Sequence, residues 1–246
     1  MGVKIVIDPG HGGSDSGAVA FGICEKDIVL DLALRTGKLL RSMGANIEYT
    51  RVTDIYVNLG DRARLANQLG ADAFFSFHIN AFNDPNANGF ESFVHSSVNG
   101  GRTAAIQNVV HRKIAEVFAS VGVRDRGQKK ANYQVLRETK MSALLIEYGF
   151  ITNAKENSLL KDSAFLDRLA RATADGIGQA LGLKPVPPVE KLPTIQRTCD
   201  VEINGKEVGK GFLIDNVSYV PARLVAEALG AKVNWDDAAK KVLIKK

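Results

Sequence analysis

From Val3 to about Leu183 the chain alternates short apolar runs with stripes of helical period, and this alternation constrains the fold more than any other feature. Val3–Asp8, Ala45–Thr50, Ala73–His78, Gly89–His95 and Ala143–Glu147 are runs of strand length, and Tyr133–Leu136 reads as another strand. Between them, Asp27–Leu40 puts Ile28, Leu32, Leu39 and Leu40 on one stripe, and Asn58–Leu69 spaces Leu59, Ala63, Ala66 and Leu69 in the same way. Thr103–Phe118 gathers Ile106, Val110, Ile114 and Phe118 on one face. Leu166, Leu169, Ala170, Thr173 and Ile177 stripe a last long helix that Gly182 stops. Asn153 and Glu156 have the spacing of a capping box that opens a short helix. Strands alternating with helices predict an α/β fold with a mostly parallel or mixed sheet covered by helices on both faces. Ligands of such sheets gather outside the carboxyl ends of the strands.

The alternation ends at KPVPPVEKLP, four prolines in ten residues, which cannot continue a helix and favour an extended spacer. The expected organisation is a first domain over 1–183, a proline-rich linker over 184–194 and a small α+β domain over 195–246. In the last segment Val201–Ile203 and Glu207–Val208 flank Asn204-Gly205, the signature of a hairpin turn. Ser218–Val220 reads as a strand, and Pro221 suits the first turn of a helix that Gly230 ends. Lys232–Trp235 and Lys241–Ile244 read as strands around an Asp236-Asp237 turn.

Composition excludes several classes. Of 246 residues 45% are hydrophobic and 24% charged, the balance of a folded globular chain rather than a disordered one. No apolar run approaches the ~20 residues of a membrane span, so no membrane insertion is expected. The net charge of +5 favours polyanionic partners, but the basic residues are scattered and no nucleic-acid recognition motif is present. Two cysteines, Cys24 and Cys199, make neither a disulfide framework nor a CxxC site and read as buried free thiols. The start, MGVKIVIDPG, is already a strand and shows no signal peptide. This predicts cytoplasmic accumulation before release, or an extracellular protein whose leader was removed.

Four short elements carry candidate chemistry: DPGHGG (Asp8–Gly13), Glu25, SFHIN (Ser76–Asn80) and IEYGFITN (Ile146–Asn153). His11 follows the first strand in a glycine-rich turn, His78 and Glu147 end apolar strands, and Glu25 precedes a helix. Two histidines and a carboxylate are a common catalytic zinc set, with water in the fourth position. A second carboxylate beside them can take a proton from that water and pass it to a leaving amine. Spacing alone leaves His78 open to a core role and Glu25 to a helix-dipole role. For Glu147 the bland reading is weaker, because burying an unpaired carboxylate is expensive. DPGHGG lacks both nucleotide-loop patterns. His111 reads as a solvated helix residue and His95 as a strand-end residue.

IVIDPGHGG, EKD, RARLANQLGADAFFSFHINA and LRETKMSALLIEYGFITNAKE occur in this order over about three quarters of the chain. In these stretches the sequence resembles the zinc-dependent N-acetylmuramoyl-L-alanine amidases of the type 3 family. The resemblance implies hydrolysis of the amide between N-acetylmuramic acid and L-alanine in peptidoglycan, with Zn2+ on His11, Glu25 and His78 and with Glu147 as the acid/base carboxylate. It also implies an open site, since the stretch between His78 and Thr103 is too short for the helical insertion of some division amidases. SYVPARLVAEALGAKVNWD and KVLIKK resemble the small domain named after the N-terminal domain of copper amine oxidases. A bacterial cell-wall-binding role is expected for it, with Tyr219 and Trp235 as candidates for the binding face. Asn80 and the loop 83–88 are candidate muropeptide contacts. A zinc peptidase cutting within the stem peptide would need the same metal chemistry, and a non-catalytic wall-binding protein would have lost Glu147 or a ligand.

Overall fold

The computed structural model describes residues 2–184, 197–214, 217–236 and 241–245, which fall into two units, Met1–Val186 and Pro187–Lys246. The expected linker from 185 onward, the Asp236-Asp237 turn and the side chain of Trp235 lie outside the described residues.

In the first unit β1 (Lys4–Pro9) leads through a small hairpin, β2 (Val19–Ala20) and β3 (Ile23–Cys24), into α1 (Glu25–Ser42). Then follow β4 (Asn46–Tyr49), α2 (Leu59–Leu69), β5 (Ala73–Asn80), β6 (Phe90–His95), α3 (Gly101–Ala119) and β7 (Asp125–Ala131). The unit closes with α4 (Gln134–Glu138), β8 (Ser142–Phe150), α5 (Ala154–Leu160) and α6 (Ser163–Leu181). Six strands form one sheet in the order β4-β1-β5-β8-β6-β7. β4, β1, β5 and β8 are parallel; β6 runs antiparallel to β8, and β7 runs with β6. The sheet is therefore mixed, with helices on both faces as the alternation requires.

Side chains alternate between the two faces. Ile5, Ile7, Phe75, Phe77, Leu144, Ile146 and Tyr148 point to one side, where Val29, Leu32, Ile114, Leu169 and Ile177 of α1, α3 and α6 seal them. Val6, Phe74, Phe93, Ala143 and Leu145 point to the other, against Ala66 of α2 and Val135 and Leu136 of α4. The first three helices have 18, 19 and 19 residues. The two on the second face have 11 and 5. That second face is thus covered over only part of its length. Continuing along it by the pleat, one reaches Asp8, Ser76, His78, Glu91 and Glu147.

Several local expectations change. Tyr133–Leu136 is not a strand: Tyr133 precedes α4, and the strand is β7, DRGQKKA, whose sequence has no apolar alternation. As an edge strand it is held by backbone pairing to β6 and needs no buried face. His111 is not solvated. It is 3% exposed on α3, bonded through Nδ1 to Ser92 Oγ at 2.8 Å and through Nε2 to Asp125 at 2.9 Å, and lies against Phe90. It sits one turn from Gln107 and Ile114 on the buried stripe, so the polar name misled. Asn153 caps α5, but Glu156 does not close the box; its carboxylate instead accepts from Gly89 N at 2.7 Å and Phe150 N at 2.6 Å. Cys24 and Cys199 are unpaired but only half-buried.

In the second unit β9 (Arg197–Ile203) and β10 (Lys206–Ile214) form the expected hairpin, with positive φ at Asn204 (53°) and Gly205 (77°), the geometry of a type I′ turn. β11 (Val217–Tyr219) adds a third strand. α7 (Ala222–Ala228) follows, with Pro221 as its N-cap rather than in its first turn. β12 (Lys232–Asp236) and β13 (Lys241–Lys245) pair antiparallel.

Candidate metal centre

The first candidate residue is held in an unusual backbone conformation. His11 follows β1 with φ 59°, a left-handed value that costs a non-glycine residue on the order of 1 kcal/mol or more. Two buried arginines hold that turn. Arg62 donates to Pro9 O and His11 O, each at 2.7 Å, and pairs with Asp8 at 2.8 Å. Arg51 donates to Pro9 O at 3.0 Å and Gly10 O at 2.7 Å. Asp8 also accepts from Thr50 Oγ1 at 2.6 Å and Ser76 Oγ at 2.7 Å, so the whole cluster is satisfied. Three successive carbonyls of the turn are thereby fixed from below.

Glu25 is presented by the entrance of α1. It is the first residue of the helix rather than the one before it. Its own N–H donates to Ala18 O at 2.9 Å and Lys26 N to Ser16 O at 3.2 Å, which satisfies the first turn without a side-chain cap. The carboxylate accepts from Ala18 N at 3.0 Å and Ile79 N at 2.9 Å. Gly17, at φ 62°, lies so close that a Cβ there would fall 2.7 Å from Glu25 Oε2 and 2.7 Å from His11 Cδ2. Only glycine fits.

His78 completes the group from β5, just before a register shift at the end of that strand. A Cβ on Gly10 would meet its ring at 2.3 Å. The two imidazoles meet edge to face at 4.9 Å and converge on one oxygen: His11 Nε2 is 3.1 Å and His78 Nδ1 3.0 Å from Glu25 Oε1. One ligand atom from each of His11, Glu25 and His78 lies within 4.8 Å of the others. The other nitrogen of His11 donates to Asp15 Oδ2 at 2.9 Å, the outer carboxylate that commonly orients a ligating histidine. Burial lowers the basicity of His11, but Glu25 and then Asp15 outweigh it and raise its pKa to about 9. Glu25 is held far below the usual carboxylate range: burial opposes its charge, and the bonds from His11 and His78 prevail. Two imidazoles and a buried carboxylate beside a cavity of about 230 Å³ lined by Asp15, Tyr56, Val57 and Leu59 suit a zinc ion with an open position.

Glu147 lies beside this group. It is inside β8 rather than at its end, in register with His78 on one side and Glu91 on the other. Among the described residues, its Oε2 is the buried side-chain oxygen that lacks a hydrogen-bond partner. Burial pushes the carboxyl up to about 7; His78 pulls the other way, while Glu25 and Glu91 add to the rise. A carboxyl with that pKa can both accept and donate a proton near neutral pH. Glu91 has the opposite balance. It is 3% exposed, yet Lys129 and Arg126 bond it, the latter at 2.7 Å, and hold it below the usual range against the effect of burial. Asn80 also donates to Glu91, at 2.7 Å. The loop 83–88 places no side chain in the ligand group. His95 ends β6, bonded to Ser97 and Asn132.

Sequence reasoning missed Asp8, Arg51, Arg62, Asp15 and Glu91. A weak signal existed for three of them: Asp8 ends the first apolar run, Arg51 directly follows the second, and Arg62 sits among the alanines of α2.

Comparison with known proteins shows the family and the fold. Residues 5–179 match the family model described as N-acetylmuramoyl-L-alanine amidase, and residues 202–246 that described as copper amine oxidase N-terminal domain. The sporulation-specific N-acetylmuramoyl-L-alanine amidase of Bacillus subtilis is 44% identical over 184 residues, 74% of this chain and 69% of that protein. An endolysin of Bacillus phage SPP1 is 40% identical over 220 residues, 87% of this chain and 80% of that protein. Among solved structures, the catalytic domain of CwlV, an N-acetylmuramoyl-L-alanine amidase from Bacillus (Paenibacillus) polymyxa, superposes with a TM-score of 0.69 at 36% identity, covering 74% of this chain and 99% of that one.

Proposed function

The chain belongs to the N-acetylmuramoyl-L-alanine amidase family and hydrolyses the amide between N-acetylmuramic acid and L-alanine in peptidoglycan; from that premise we propose that His11, Glu25 and His78 hold a zinc ion and that Glu147 moves the proton. The observation that carries the proposal is the pairing of a three-donor group with a carboxyl one strand away whose buried Oε2 has no hydrogen-bond partner. When bound, zinc supplies an acidified water and a Lewis acid for the amide carbonyl. Glu147 takes the proton of the attacking water and returns it to the departing alanine nitrogen. Burial raises its pKa in the metal-free protein, which favours its return of the proton to the leaving nitrogen. Asp15 keeps His11 oriented through Nδ1, and Arg51 and Arg62 hold the turn that carries it. Ala18 N and Ile79 N fix the Glu25 carboxylate.

The second unit is proposed to hold the enzyme on the wall, which places its action at the bacterial cell wall. Tyr219 is 51% exposed and Val242 and Ile244 are 50% and 53% exposed, side chains open to a ligand. Among the described residues no helix is long and apolar enough to cross a membrane.

The test is digestion of Gram-positive peptidoglycan followed by mass spectrometry of the released ends, with the zinc-stripped protein run in parallel. Free peptides starting at L-alanine, lost on chelation and recovered with zinc, support the proposal. Cuts inside the stem peptide would make the enzyme a peptidase, and activity indifferent to chelation would remove zinc. Separately, the wall-binding role requires a variant truncated after residue 183 to pull down less with intact walls than the full chain does.

A further inference from the structure

The strand order sets the site-face groups in a line. Tyr56 and Leu59, 56% and 52% exposed, line a cavity with Gly10, His11 and Asp15, which follow β1, and with His78 of β5. Of the ligand group, His11 follows β1, Glu25 opens α1 and His78 stands on β5. Next comes β8 with Glu147, then β6 with Glu91, then the edge strand β7 with Arg126 and Lys129. We propose that the muropeptide crosses this line in one direction: the stem peptide runs from the metal centre over β8 and β6 to β7, where Arg126 and Lys129 take a peptide carboxylate, and the sugar lies toward Tyr56 and Leu59. The inference rests on the amidase reading.

The direction follows from where the proton must go. The nitrogen that leaves belongs to the peptide, and the group that protonates it must touch it. Glu147 is that group, and it lies on the β8 side of His78, not the β1 side. The peptide therefore departs toward β8.

Charge beyond Glu147 points the same way. Glu91 is in register with Glu147, and it carries one negative charge against the two positive charges of Arg126 and Lys129. One positive charge is left over, on side chains 26% and 36% exposed. A free stem peptide ends in a carboxylate. From β5 to β7 there are three strand spacings, roughly 14 Å, which about four extended residues span. Among the described residues, the cavity at His11 offers no such partner. The cation lining that cavity, Arg62, is 2% exposed and committed to Asp8 and to backbone carbonyls. What remains there is the apolar surface of Tyr56 and Leu59, which suits the C–H face of a sugar ring.

The experiment uses the full, zinc-loaded chain and two soluble muramoyl-tetrapeptides, one with free carboxyl groups and one with all of them amidated. The readout is the ratio of kcat/KM for the free acid to that for the amide. Wild type is expected to favour the free acid by about tenfold, the range of one charge-assisted hydrogen bond. Lys129→Met and Arg126→Met should each move the ratio toward one. Glu91→Gln, which frees both cations, should raise it. Tyr56→Ala should leave the ratio where it is and weaken cleavage of substrates with longer glycans more than of the single muramoyl sugar. A ratio unaffected by the β7 variants, or lowered by Glu91→Gln, overturns the inference. Release of the peptide at the muramoyl amide in those same assays keeps the amidase reading intact; absence of that product would sink the amidase reading instead.

Discussion

The two faces of the central sheet are built from alternate residues of the same strands, yet they serve different ends. One is sealed by three long helices and is mostly apolar: Ile5, Phe75, Phe77, Leu144 and Ile146 meet α1, α3 and α6 with almost no exposure, and its few polar groups, such as Ser92 and His111, bond one another. The other is covered by two short helices, and where their cover stops the strands carry Asp8, Ser76, His78, Glu91 and Glu147. The dry face supplies stability. The half-covered face accepts buried charge, an unpartnered carboxyl and a left-handed histidine, costs that the dry face offsets. Function thus occupies the part of the sheet that no helix covers.

This division can be broken by substitution, from the largest effect downward. Glu147→Gln is expected to lower peptidoglycan hydrolysis by about a hundredfold to ten-thousandfold with bound zinc, measured by mass spectrometry of the metal, unchanged. Simultaneous loss of zinc would make Glu147 a ligand rather than a proton carrier. Arg62→Met leaves Asp8 buried without its cation and should cost about 3–5 kcal/mol of stability. Because the same guanidinium holds His11 O, zinc affinity measured against a competing chelator should fall as well. An unchanged affinity would show that the turn is rigid without Arg62.

Leu169→Ala on the dry face should cost about 2–5 kcal/mol in denaturant unfolding. Folded protein of that variant should still bind one zinc with wild-type affinity. A large change in affinity would mean that the two faces are not separable.

The smallest effect is on pH. In protein stripped of metal, the raised pKa of His11 contributes stability that is complete below about 6.5 and is lost as pH rises through about 9. Zinc needs the lone pair that this proton occupies. The rise in Tm on adding zinc should therefore grow between those two pH values. A flat or falling shift would remove His11 from the ligand set.

The legibility of the molecule followed the kind of force involved. Strands and helices that bury a regular stripe were readable, because burial writes its period into the sequence: β1, β5, α3 and α6 lie within a few residues of expectation. That His11, Glu25 and His78 come together, with Glu147 beside them, was foreshadowed because such residue types are costly in apolar surroundings and stand in ordered motifs. Where pairing rather than burial holds an element, the sequence was silent. β7 was missed because an edge strand is held by its neighbour's backbone, and Tyr133–Leu136, which caps and opens α4, looked extended only because Tyr and Val favour strands.

The sequence by itself determined the alternation, the hairpin turn at Asn204-Gly205 and the residue types able to hold zinc. Only the tertiary structure decided that His11 and His78 share one oxygen of Glu25, that Arg51 and Arg62 clamp the His11 turn, and that Glu91 with its two cations stands next to Glu147. These contacts join residues tens of positions apart through strand order, and strand order is set by which faces pack, not by any local pattern along the chain.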